Sequence, residues 1–180
     1  MPLYSQRHKR TQELVGLSVM ASLMLVSRWV TMPLPPGVHL LAPIMAAATL
    51  VYRSKALVSI YLFVILYGLL IVGFTTWWIP YLFVFLPLWA MFMIAGKFKL
   101  KVEVKIPLYM ALCAIHGLAF GALFAPFHAV FFGLNIESTL AWIAAGLHFD
   151  TIHAFGNFFS ALLIVPLVEL LRMIQKDSHI

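Results

Sequence analysis

Asp150, His153 and Asn157 follow one another at i, i+3 and i+7 in the segment His148–Phe149–Asp150–Thr151–Ile152–His153–Ala154–Phe155–Gly156–Asn157. On a helix this spacing sets the three side chains on one face, which Ser160 and Ile164 continue. A carboxylate, an imidazole and a carboxamide in a row can orient a small ligand, pass a proton, or hold helices together by hydrogen bonds. His148–x–Asp150–x–x–His153 also has the residue types of metal ligands. On one continuous helix positions 150 and 153 converge while 148 points elsewhere, so a metal site would need His116, His128 or Glu137 to complete it. A small membrane-embedded enzyme would use these same groups. Asn135 and Glu137 fall just ahead of the stripe, and His39 follows the first proline-rich segment. Trp77, Trp78 and Tyr81 can supply flat apolar walls, although tryptophans at such positions also serve as interfacial anchors. His116 has no polar neighbour on its own helical face, as suits a satisfied buried histidine.

The elements that must position these groups are transmembrane helices. The chain has 180 residues, 63% hydrophobic and 10% charged, and lipid must solvate much of that apolar surface. A span needs roughly 20 apolar residues, so about six crossings fill the chain and leave no room for a soluble domain. The segments fall at roughly 11–30, 38–52, 56–74, 81–96, 106–132 and 149–174, with a short external or re-entrant helix over 138–147. Pro87 and Pro126 predict bends within two of them. The turns Thr31–Gly37, Thr75–Pro80 and Gly133–Ser138 separate spans on one side. The alternating run Lys97–Lys105 reads as a connector on the other. No serine-hydrolase or zinc-protease motif and no P-loop occurs. Cys113 is the sole cysteine, so there is no disulfide framework and no Cys-based metal site. The sequence implies no cofactor.

Charge sets the orientation. Of twelve Lys and Arg residues, eleven (Arg7, Lys9, Arg10, Arg53, Lys55, Lys97, Lys99, Lys101, Lys105, Arg172 and Lys176) flank every second crossing. The positive-inside rule then makes both termini cytoplasmic. Arg28 alone falls outside the pattern. The net charge of +6 therefore serves topology and anionic headgroups, not nucleic acid. The polar inventory gathers in the external half of the bundle, while Glu169 in the inner half can pair with Arg172 at i, i+3. In the first span Ser18 and Ser22 form a small-xxx-small pair beside Ala21, a surface that lets another helix approach closely.

Together these features resemble the substrate-binding S components of energy-coupling factor (ECF) vitamin transporters, over nearly the whole chain. The resemblance rests on size, six helices with both ends inside, a small-residue first helix ending in Ser27–Arg28–Trp29, a Pro-rich first external loop, and a polar start to the last helix. The run Phe149–Asp150–Thr151–Ile152–His153–Ala154–Phe155–Gly156–Asn157–Phe158, followed by Ile164–Val165–Pro166–Leu167, is similar to the last helix of one S-component subgroup. The resemblance implies a non-catalytic subunit of the prokaryotic plasma membrane. Such a subunit binds a vitamin or related micronutrient outside and docks on a transmembrane T subunit carrying two cytoplasmic ATPases. It topples in the membrane to release its cargo. Ser18–x–x–x–Ser22 would take the place of the family's Ala-x-x-x-Ala docking surface. The chain begins Met1–Pro2–Leu3, without the N-terminal histidine of the cobalt and nickel branch. Asp150, His153, Asn157, Asn135, Glu137, Trp77, Trp78, Tyr81 and His128 are the expected ligand-binding residues. With Asp150 and Glu137 acidic and Arg28 the one external cation, a neutral or cationic, partly aromatic ligand is expected. A solitary transporter or a structural membrane protein would share the topology but work without ATPases.

Overall fold

The computed structural model describes residues 2–35 and 37–177. Pro36 of the expected proline loop, and the side chains of Arg7, Lys9 and Lys176 from the basic clusters, lie outside the described residues. Every regular element among the described residues is helical: α1 Pro2–Val30, α2 Leu41–Tyr52, α3 Ala56–Tyr67, α4 Tyr81–Val84, α5 Leu86–Ala95, α6 Val102–Leu118, α7 Phe120–Phe132, α8 Ile136–Ser160 and α9 Ile164–Asp177. Four helical stretches are long and apolar enough to cross a membrane: Arg10–Val30, Leu41–Val72, Val102–Phe132 and Ile136–Gln175. Tyr81–Ala95 is a shorter apolar helix.

The Leu41–Val72 stretch folds back on itself. Arg53 takes φ 57° and ψ −128°, a conformation that ends α2 and reverses the chain through a single 3-10 turn, Arg53–Lys55. Contacts on either side set the directions. Lys55 pairs with Glu13, the Ser59 hydroxyl donates to Leu17 O, and Arg28 lies over the Tyr67 ring, so α1 and α3 run parallel. Tyr67 meets Tyr81, and Phe63 meets Phe85, so α3 and the α4–α5 leg run antiparallel. Gly121 meets Asp150, Gly117 meets Ala154, and Cys113 meets Asn157 along the antiparallel α6–α8 pair.

α2 lies innermost, with ten of its twelve residues buried. Its alanines let neighbouring backbones come close, which is how helices pack where lipid is as apolar as the side chains. Large apolar groups fill the space around it, among them Phe63, Phe92, Met20, Met24 and Ile60. Many other large apolar side chains, such as Val15, Leu69, Phe131 and Phe159, point outward, as lipid-facing groups do.

Several expectations need correction. The segment from 136 onward is one helix to Ser160, not a short helix followed by a separate span from 149. Gly146 has nothing packed against it and stays helical. The interruption comes at the 3-10 turn Ala161–Leu163, just before Pro166, whose ring excludes regular helix packing against the preceding turn. The bend expected at Pro126 lies at Ala119 instead. The bend expected at Pro87 lies two residues earlier, at Phe85. α6 starts at Val102, inside the Lys97–Lys105 run, where Glu103 suits the positive end of a helix. Glu169 and Arg172 are both exposed and form no ion pair among the described residues. An exposed pair would contribute little in any case.

The α6–α8 contact generates a prediction. A Cβ on Gly117 would fall 2.9 Å from the backbone of Ala154, whereas one on Gly146 meets nothing within 4 Å. Gly117→Ala should destabilise the detergent-purified protein by about 1–3 kcal/mol. Gly146→Ala should leave it unchanged or raise its stability by about 0.5–1 kcal/mol. Thermal denaturation of the two variants side by side checks this.

Candidate functional site

Each break in a helix frees backbone polar groups, and side chains from other helices take them up. In a continuous α6–α7 rod the Gly121 N–H would bond the Gly117 carbonyl. It donates instead to both carboxylate oxygens of Asp150, at 3.1 and 3.0 Å. Asp150 thus caps the start of α7 from the middle of α8, where the helix dipole also favours an anion. A Cβ at 121 would lie 2.5 Å from Asp150 Oδ2, so a side chain there would push the carboxylate off the cap. The Phe85 break, next to Pro87, frees the Val84 carbonyl, and His116 Nε2 lies 2.8 Å from it. A carbonyl can only accept, so His116 carries its proton on Nε2, and its Nδ1 has no partner. Trp78 Nε1 donates to Val64 O at 2.8 Å beside the π turn Gly68–Val72.

These bonds surround a cavity of about 210 Å³ at the end of the bundle remote from Arg53, Lys55 and the lysine-rich connector. Arg28 from the last turn of α1, Gly37 and His39 from the first loop, and Leu41 at the start of α2 form one side. Phe63 and Tyr67 of α3, Tyr81 of α4, Phe85, and Phe120 of α7 form the aromatic walls. Phe149, Asp150 and His153 of α8 complete it. A dry apolar cavity of roughly 150 Å³ admits benzene, so this one has room for a one-ring or compact two-ring molecule.

The His153 ring packs edge-on against His39, at 4.9 Å between centroids, and against Phe120 at 4.8 Å. His153 has no hydrogen-bond partner among the described residues. The loop reaches it through Gly37, whose φ of +91° and close approach to the His153 Cβ leave no room for a side chain. His39 precedes the membrane-spanning stretch, and burial, with Arg28 nearby, pulls its pKa down to about 3. It is therefore neutral at neutral pH. Arg28 is half-buried, with its guanidinium carbon 5.9 Å from the Tyr67 ring centroid. It has no acidic partner among the described residues, where the ion pair present is Lys55–Glu13 at the opposite end. A cation–π contact contributes about 0.5–2 kcal/mol. Arg28 thus presents a guanidinium to the cavity without a direct ion pair among the described residues.

Of the residues expected from sequence, Asp150, His153 and Tyr81 line the cavity together. The others do not. Asn157 is fully buried one turn further along α8 and donates to Cys113 O at 3.2 Å, joining α8 to α6. Asn135 caps α8, accepting the Ser138 N–H at 2.8 Å, and Glu137 is exposed in the first turn of that helix. Trp77 packs at a tilt on His128, and His128 stacks on Trp142 at 4.5 Å, in an aromatic cluster nearer the α7–α8 turn. Trp78 is held by the Val64 carbonyl. Among the described residues no three of His, Cys, Asp and Glu come together to hold a metal ion. His148 is exposed, and His116 is turned toward Val84, so the metal arrangement set out above is not assembled. The sequence did not single out Phe63, Tyr67, Phe85, Phe120 or Phe149. Arg28 was visible as the one cation outside the basic clusters. The expectation of a neutral or cationic ligand set Asp150 and Glu137 against Arg28 as the one external cation. Arg28 and Asp150 both line the cavity, whereas Glu137 lies in the exposed first turn of α8. Compared with protein-family models, curated proteins and solved structures, the chain has no significant match in any of the three.

Asp150 therefore has a structural role independent of any ligand. Asp150→Ala orphans the Gly121 N–H and should lower the stability of ligand-free protein by about 1–3 kcal/mol. Asp150→Asn keeps an acceptor oxygen and should recover most of the loss. Denaturation of the two variants in detergent tests this; an Asp150→Ala protein as stable as wild type would refute the cap.

Proposed function

We propose that this chain is the substrate-specific S subunit of an energy-coupling factor importer, a six-crossing protein of the prokaryotic plasma membrane with both termini cytoplasmic. In this reading it binds a vitamin or related micronutrient from outside and delivers it with a T subunit and two ATPases. The observation that carries the reading is the position of the cavity. It lies at the end of the bundle away from the basic residues, and the positive-inside rule makes that end external. The reversal at Arg53 supports six crossings, because it divides the Leu41–Val72 stretch into two antiparallel legs.

The inner half of the bundle supports a carrier rather than a channel. Thr49 and Ser59, buried there among the described residues, are both spent on backbone carbonyls, of Met45 and Leu17. Neither hydroxyl is left to donate to a passing cargo, which favours release by movement of the subunit, as toppling would provide. On α1, Ser18 and Ser22 are exposed and form a continuous outer stripe, with the Ser22 hydroxyl bonded to Ser18 O. Ala21 is buried and belongs to the core, not to this stripe. Successive helical residues turn by roughly 100°, so position 21 faces away from position 22. The docking face in this proposal is Ser18 and Ser22 alone.

Two outcomes are expected. Ser18→Leu with Ser22→Leu should abolish co-purification with the T subunit and ATPases while leaving the cavity and its ligand intact; full assembly of the double variant would remove this face from the account. Cysteines placed at Thr76 and Lys99 in a Cys113→Ala background should react with an impermeant reagent differently. Position 76 should label in intact cells and position 99 only after permeabilisation. The opposite pattern would invert the orientation and with it the external site.

A further inference from the structure

We infer that the cavity takes a small ring-bearing monoanion, its carboxylate on Arg28 and an N–H or O–H donor at its other end on Asp150. This rests on the reading of the cavity as a substrate site and assigns the chemical class of the substrate.

The charges of the cavity carry the inference. Arg28 presents a guanidinium to it with no acidic partner among the described residues and only the Tyr67 ring beneath. A guanidinium matches a carboxylate in plane and in donor spacing, and an anion brought by the ligand can pair with it directly. Asp150 does not pair with it directly: its carboxylate accepts from Gly121 N–H, and the two residues form no ion pair. Each carboxylate oxygen still has a lone pair free to accept from a ligand donor. The cavity is thus polar at two places, cationic at α1 and accepting at α8. Tyr81 and Phe120 between them supply the faces on which a ring stacks.

The same features exclude neighbouring classes. A cationic ligand without a carboxylate would leave the Arg28 fork unpaired and be repelled by it. A phosphate ester would bring more negative charge than one guanidinium balances. A ring system much larger than two fused rings exceeds about 210 Å³.

The test uses the full chain, purified in detergent and stripped of ligand, with matched acids and neutral amides: 4-aminobenzoate and 4-aminobenzamide, nicotinate and nicotinamide, indole-3-acetate and indole-3-acetamide. Binding is read from tryptophan fluorescence and thermal shift. At least one acid should bind about tenfold or more tighter than its amide. Arg28→Gln should erase that preference, while Arg28→Lys, which keeps the charge but not the fork, should retain part of it and report that the fold survives. Amides binding as well as acids, acids binding Arg28→Gln undiminished, or no acid binding at all would each overturn the assignment. If a neutral or cationic molecule saturates the protein and its uptake needs the ATPases, the charge assignment falls and the transporter reading stands. If nothing saturates it and no uptake depends on the ATPases, both fall.

Discussion

The hydrogen bond from Gly121 N–H to the Asp150 carboxylate meets a constraint that governs the whole outer half of this molecule. In lipid, a backbone group released from its helix must find a partner within the protein. The helices are interrupted at Phe85 and Ala119, and near each a polar side chain from another element takes a backbone group: His116 for Val84 O, Asp150 for Gly121 N–H. Beside the π turn 68–72, Trp78 adds a second donor to Val64 O, which also accepts from Gly68 N–H. At the other end Arg53 Nη2 donates to Met93 O, near the end of α5. These bonds fix where the breaks occur and how the flanking turns are aimed. The cavity lies among them, walled by the residues the breaks turn inward, Phe85 and Phe120.

This accounts for which parts of the site could be read from the sequence. Asp150 and His153 stood out because polar residues are rare in an apolar helix. Their spacing gave the face they share but not its depth. Asn157 shares that face, yet lies one turn further along, opposite Cys113, and became a bond between helices. Asn135 was legible as a helix cap, since Gly133 ends α7 and Ser138 follows at capping distance, but its polarity pointed to a ligand instead. Arg28 stood out as the one cation that breaks the charge pattern, but nothing in the sequence placed it beside Asp150 and His153. The aromatic walls carried none. With 14% aromatic residues in the chain, nothing local marks Phe63 or Tyr67 as facing a cavity rather than lipid.

The helical segments themselves were largely legible, because hydropathy and the basic clusters mark spans and turns directly. The positions of the bends were not. Pro87 and Pro126 pointed to kinks, but the breaks fall where a tertiary partner can accept the freed group. Pro126 stays within α7, whereas Ala119 has Asp150 opposite the next turn. The continuity of α8 from Ile136 to Ser160 was hidden for a similar reason. The helical stretch Ile136–Gln175 has 40 residues, too many for a single span, and only the packing of α8 along α6 and α7 shows that its first 25 residues run on unbroken.

Native mass spectrometry of the protein released from detergent, after purification from cells grown in rich medium, tests most directly the claim that the cavity is a ligand site. The account predicts one small molecule bound per chain in the wild-type protein. It predicts an empty chain when a larger side chain on the lining fills the cavity, as in Leu41→Phe. A wild-type protein that is empty under these conditions and gains no ligand from a micronutrient mixture would contradict it.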